Sequence, residues 1–129
     1  MLEVLPGRYA VCRLDPGEAI PHLSLEHRFW SITHTRDELS LVLPQESVPA
    51  GRRFEGGWCC LRVLGLLDFG LTGVLASLAT PLARAGISIF AISTYDTDYL
   101  LVREGDLASA KRALAESGHI IQSEAPDDL

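Results

Sequence analysis

The second half of the chain switches repeatedly between the two periods that define secondary structure. Residues 58–64 (WCCLRVL) are almost continuously apolar and β-prone, which predicts a strand. Residues 65–73 (GLLDFGLTG) are punctuated by glycine and predict a turn. From there apolar residues fall at Leu71, Val74, Leu75, Leu78 and Leu82, the spacing of an amphipathic helix, with Gly86 as its stop. Pro81 lies inside this pattern and predicts a kinked or 3₁₀ last turn. Residues 87–94 (ISIFAIST) read as a strand apolar on both faces, and 98–103 (DYLLVR) as the next. Tyr95, Asp96 and Thr97 make the short hairpin connection between them. Asp106 is placed to cap a second helix, whose inward positions are Leu107, Ala110, Ala113 and Leu114 and whose end is Gly118. A short strand over 119–123 follows, and 126–129 read as a disordered tail.

The order strand, helix, strand, strand, helix, strand predicts an α+β fold, the ferredoxin-like βαββαβ sandwich with both helices on one face of an antiparallel sheet. A strand apolar on both faces implies that the open face is covered by a second sheet or another subunit. The first half supplies a partner. FWSITHTRDELSLV (29–42) matches IFAISTYDTDYLLV (89–102) at an offset of 60, and AVCRL (10–14) resembles CCLRV (59–63). The chain therefore reads as duplicated, with a shortened unit at 1–56 and a full unit at 57–125. The first unit's connection, DPGEAIPHLSLEHR, carries Pro16 and Pro21 and has room only for a stub of helix.

Composition narrows the functional classes. The chain has 129 residues, is 47% hydrophobic and 22% charged, and carries a formal charge of −6. An acidic chain whose ten arginines and one lysine are scattered lacks the basic stripe of a nucleic-acid binder and the polybasic patch of a membrane binder. No run reaches the ~18 apolar residues of a membrane span, and the start lacks signal-peptide character, so a cytoplasmic protein is expected. Cys12, Cys59 and Cys60 are too few for a disulfide framework, and adjacent Cys59 and Cys60 would point to opposite faces of a strand. They read as small buried hydrophobes. His22, His27, His34 and His119 have no metal-ligand spacing, so neither a metal nor a cofactor is expected. Asp68-Phe69-Gly70 spells a kinase motif without the rest of the kinase set, and no nucleophile elbow or Ser-His-Asp set occurs. The chain is read as not an enzyme.

Three phrases then carry a family likeness: the glycine loop LDFGLTG, LARAGISIFAIST at the next strand, and STYDTDYLLV at the hairpin. In this order they resemble the ACT domain. More narrowly they resemble tandem ACT proteins related to the regulatory part of aspartate kinases and to cytosolic amino-acid sensors. FWSITHTRDELSLVLPQESVP resembles that group's shortened first unit. The resemblance implies a non-enzymatic regulatory module that binds an amino acid at the interface between ACT units, near the loop after the first strand, and that associates as a homodimer. Carried onto this chain, the site is Asp68, Phe69, Gly70, Leu71, Thr72 and Gly73 in the loop, with Ser93, Thr94, Asp96 and Asp98 on the facing hairpin. Ser31, Ile32 and Thr33 are the equivalent strand edge of the first copy. The chain contains no catalytic segment, so a free-standing module is expected rather than one fused to the enzyme it regulates.

The chemistry of these residues suits that reading. An amino acid's carboxylate suits the N–H groups at a helix start, and glycine permits close approach to the main chain. Its ammonium calls for a carboxylate, and Asp68, Asp96 and Asp98 are available, the last two expected to face the same way on an extended segment. Blander roles exist for each: Asp68 as a helix cap, Asp96 as a turn former, Phe69 as core packing. A different class, a ligand-free protein-interaction and oligomerisation module acting through its sheet edge, is the alternative.

Overall fold

In a computed structural model, which describes residues 1–64 and 73–123, the chain divides into two compact units. One comprises 7–58; the other combines 1–6 with the chain from 59 onward. Among the described residues there are eight strands: β1 (Leu2–Val4), β2 (Tyr9–Leu14), β3 (Ser31–His34), β4 (Leu39–Pro44), β5 (Arg53–Val63), β6 (Ile89–Ser93), β7 (Asp98–Arg103) and β8 (Ile121–Ser123). Two α-helices accompany them, α1 (Val74–Arg84) and α2 (Leu107–Glu116). Strand β5 is longer than the strand read at 58–64, and the division falls within it, between Trp58 and Cys59.

The larger unit is the ferredoxin-like layer with one addition. Its strands run β8-β1-β5-β7-β6. The N-terminal segment, expected with the shortened unit at 1–56, lies here instead. Strand β1 pairs antiparallel with β5 (Leu2↔Val63, Val4↔Leu61) and parallel with β8 (Leu2↔Ile121, Val4↔Ser123), so it separates two strands that a plain βαββαβ sheet would place side by side. Cys59, Leu61 and Val63 alternate onto one face of β5 and meet Leu78 and Leu82 of α1 and Ala110 and Leu114 of α2. Leu2 completes this core at 1% exposure, which explains why so short a strand is held.

Both helices end where glycine allows it. Gly86 (φ 74°) and Gly118 (φ 95°) take the left-handed conformation, and the amides of Ile87 and His119 reach back to the carbonyls of Leu82 and Leu114 at 3.0 Å each. Pro81 does not break or tighten α1, which stays α-helical to Arg84. Proline withholds the N–H that would bond the Ser77 carbonyl. His119 Nε2 stands 3.0 Å from that carbonyl and supplies the donor. Asp106 occupies the N-cap of α2, but a 3₁₀ turn over Glu104–Asp106 leads into the helix and the side chain makes no capping bond. Strand β6 is not buried on both faces as expected. Among the described residues it pairs only with β7, and Ala91 and Ser93 are exposed.

The smaller unit repeats part of this topology. Strands β3-β4-β2 and the first half of β5 form its sheet, all neighbours antiparallel. The hairpin's second strand lies beside the unit's first strand, just as β7 lies beside β5. The expected helical stub is absent; 15–30 is irregular apart from turns. Its apolar side chains do the covering: Leu23 and Trp30 pack on the core of Cys12, Leu14, Leu39, Leu41 and Leu43, and Trp30 Nε1 donates to the Ser24 carbonyl at 3.1 Å. Charges fasten the same connection, with Arg52 2.7 Å from Glu18, whose other oxygen accepts the Asp15 amide at 2.8 Å.

Candidate functional site

The expected loop residues Asp68, Phe69, Gly70, Leu71 and Thr72 lie outside the described residues. The structure therefore defines the residues on either side of that segment in sequence. Val63 ends β5 just before the loop. Gly73, at its far side, is the N-cap of α1 with φ 80°, a left-handed conformation that disfavours any other L-residue, and its carbonyl starts the helix by accepting the Ser77 amide at 2.8 Å. Gly73 itself has no side chain to cap this N-terminus.

The β6–β7 hairpin meets the end of β5 through Thr97. This residue was not singled out from the sequence, yet it is 8% exposed and its Oγ1 donates to the Val63 carbonyl at 2.8 Å. The turn itself is held by Thr94. Its amide donates to the Thr97 carbonyl at 2.8 Å, and its Oγ1 accepts the Thr97 amide at 3.2 Å. Ser93 and Asp98 are cross-strand partners, and Ser93 Oγ donates to Asp98 Oδ1 at 2.6 Å. Asp98 is 9% exposed, buried for a carboxylate, whereas Asp96 sits on the exposed turn. The expectation that Asp96 and Asp98 face the same way is therefore corrected: the chain is turned, not extended, between them. The structure groups Ser93, Thr94, Thr97 and Asp98 at the end of β5, and leaves Asp96 at the tip.

The first copy needs a second correction. Its turn is Thr35 to Glu38, with the Thr35 amide on the Glu38 carbonyl at 2.9 Å and the Glu38 amide on Thr35 Oγ1 at 3.1 Å. These are the bonds of Thr94 and Thr97, so the hairpins correspond at an offset of 59, not 60. The burial of β4 and β7 agrees position by position, except at their last residue. Repeated leucines and valines hid the shift, while Thr-x-Asp at 35–37 and 94–96 marked it. Ser31, Ile32 and Thr33 then correspond to residues 90–92. They form β3, and Ile32 packs against its own unit's core.

Elsewhere the reactive side chains are closed away. Cys12, Cys59 and Cys60 are free thiols, each buried. Desolvation pushes the Cys60 thiol up to about 12, with neighbouring Cys59 adding to it. Burial likewise raises Cys12, Arg52 opposing it and Glu18 reinforcing it. Among the described residues no group of His, Cys, Asp and Glu is placed to hold a metal ion, and no helix is long and apolar enough to cross a membrane. A cavity of about 280 Å³ opens between the C-terminal ends of α1 and α2, around Pro81, Arg84, Ala113 and Glu116. None of the expected ligand-binding residues lines it, and both of its charged side chains are exposed.

A helix-covered layer, and a second unit whose hairpin turn repeats the Thr94–Thr97 bonds at Thr35 and Glu38, define a duplicated ferredoxin-like α+β protein. The sequence model of the ACT domain matches residues 53–116, and a model of a related N-terminal domain matches 7–51. The chain belongs to the ACT-domain family. A crystal structure of a protein from Agobacterium tumefaciens is 41% identical, with a TM-score of 0.89 over 96% of this chain and 92% of that one. The human protein named cytosolic arginine sensor for mTORC1 subunit 1 is 31% identical over 69% of this chain; the chain spans about 30% of that relative's length. The regulatory subunit of aspartate kinase from Thermus thermophilus shares the fold, at 12% identity and a TM-score of 0.61, over 92% of this chain and 97% of that one. By their names these last two are a sensor and a regulatory subunit.

Proposed function

We propose that this protein is a non-catalytic regulatory module that binds a free amino acid at the end of β5 and the β6–β7 hairpin. The observation that carries the reading is Asp98, a buried carboxylate hydrogen-bonded to Ser93 where the hairpin meets the strand that leads into the glycine loop. Asp98 offers its charge to the ligand's cationic group, and the start of α1, whose N-cap is Gly73, offers N–H groups to the ligand's carboxylate. The kinship with an arginine sensor supports an amino acid as the ligand class. The protein acts in the cytoplasm, without nucleic acid or membrane, and assembles as a homodimer.

The test is thermal unfolding with each of the twenty L-amino acids. A binder present at a hundredfold excess over its Kd stabilises the fold by about 2.7 kcal/mol. The reading fails if none of the twenty shifts the transition. In the Asp98→Ala variant one charge-assisted contact is lost, about 1.5–3 kcal/mol of binding, and the fold survives. A ligand-free interaction module is the second reading, favoured by Ile20 and Leu25, which stand 56% and 89% exposed on the first unit's long connection.

A further inference from the structure

We infer that the cavity between the C-terminal ends of α1 and α2 is a further binding site, and that it takes a small zwitterion, a molecule carrying both an ammonium and a carboxylate group. It does not rest on the site proposed above and shares no residue with it. Its volume, about 280 Å³, is close to the ~300 Å³ at which small-molecule sites begin. Half-buried Pro81 and Ala113 supply apolar lining. Arg84 comes from α1 and Glu116 from α2, so each helix brings one charge, of opposite sign, to the same space. Arg84 stands about 16 Å along α1 from Gly73, the residue that follows 65–72 in sequence.

The two charges line one cavity without pairing. Among the described residues the ion pairs are Arg13–Asp15, Arg52–Glu18 and Arg62–Glu3, and neither Arg84 nor Glu116 has a side-chain bond. Arg84 is accounted for by its own helix, because a cation in the last turn suits the negative end of the helix dipole. Glu116 is not. It is the last residue of α2, where that dipole disfavours a carboxylate, and no basic residue shares its last turn. Arg112, one turn earlier, makes no ion pair with it. Each helix end adds about half a negative charge. The cavity thus gathers negative potential from two helix ends and a carboxylate, opposed by one guanidinium. An ammonium group answers the first and a carboxylate the second, and the Ser117 hydroxyl adds a neutral donor and acceptor. A ligand with a single charge meets one of these and is repelled by the other.

Backbone amide NMR of the full-length chain, titrated with each of the twenty L-amino acids, tests this. Saturable shifts are expected at the amides of 82–86 and 113–118 with at least one amino acid. Acetate alone and methylammonium alone leave those amides unmoved. Arg84→Glu and Glu116→Arg change exposed side chains, so the fold tolerates both, and each weakens the binding about fivefold or more. The double variant restores it to within about twofold, because a zwitterion can turn end for end. Binding at the helix ends that survives either reversal, that the double variant fails to restore, or that acetate or methylammonium reproduces, overturns the inference. Shifts confined to the hairpin and the start of α1 also overturn it and leave the proposed function standing. Shifts confined to the helix ends support the inference and overturn the placement of the ligand at the hairpin. Absence of any shift overturns both.

Discussion

The bond from His119 to the Ser77 carbonyl predicts a conditional cost. In an α-helix residue 81 would donate its N–H to the carbonyl of residue 77, and Pro81 has no N–H to give. The imidazole at 3.0 Å stands in for it. The contact is on the exposed side of α1, so water replaces part of what His119→Ala removes, and the loss is about 0.5–1.5 kcal/mol. Pro81→Ala restores the helical donor. It gains about 3 kcal/mol of helix propensity and returns roughly 0.4–1 kcal/mol through a freer unfolded chain, for a net gain near 2 kcal/mol. In that background the Ser77 carbonyl already has a partner, so His119→Ala costs close to nothing. Urea unfolding of the wild type, both single variants and the double variant measures the coupling, expected at about 0.5–1.5 kcal/mol. Equal costs of His119→Ala in the two backgrounds would refute the substitution of one donor for the other.

Further outcomes follow from the same geometry. Thr97→Val keeps the shape but leaves the Val63 carbonyl without its 2.8 Å donor, so the denaturant midpoint falls by the equivalent of about 1–2 kcal/mol; an unchanged midpoint contradicts the anchoring role. The Cys60 thiol, near 9 when unfolded and about 12 when folded, holds its proton more tightly in the folded chain. Its contribution is complete below pH 9 and is lost as pH rises toward 12, by up to about 4 kcal/mol. Alkaline denaturation midpoints of the wild type and Cys60→Ala converge or cross in that window if this holds, and run parallel if it does not. Strand β6, with a partner on one side only among the described residues, predicts association, and light scattering at high concentration reads a dimer; a clean monomer argues against it.

Much of the second unit was legible because its pattern is strong. The strand expected at 98–103 is β7 to the residue, and the two glycine stops end α1 and α2 as their left-handed geometry requires. What failed had physical causes. Leu2–Val4 has no period to read in three residues, and its place is set by partners far away in sequence. Pro81 looks like a breaker until a histidine from another segment supplies its missing donor. The duplication was visible, but leucine and valine recur too often in strands to fix a register, and the polar turn bonds of Thr35 and Thr94 were needed to set it. At the candidate site, Asp98 and Ser93 could be named from sequence, whereas the burial that separates Asp98 from Asp96, and the role of Thr97, depend on how the turn closes.

The position of β1 bears on how the molecule can be made. The larger unit pairs residues 2–4 with residues 121–123, more than a hundred positions apart, with Leu2 beside Ile121. As the ribosome extends the chain, the smaller unit can close on residues already present, but β1 must wait for β8 before its parallel neighbour exists. Sequence separation of this kind slows folding, since the loop entropy is spent before the contact repays it. It also sets the rule for dissecting the protein: a fragment beginning at residue 59 carries α1 and α2 yet leaves an open slot between β5 and β8. Joining the two ends of the described fold and opening the chain elsewhere is a gentler cut than removing its first six residues.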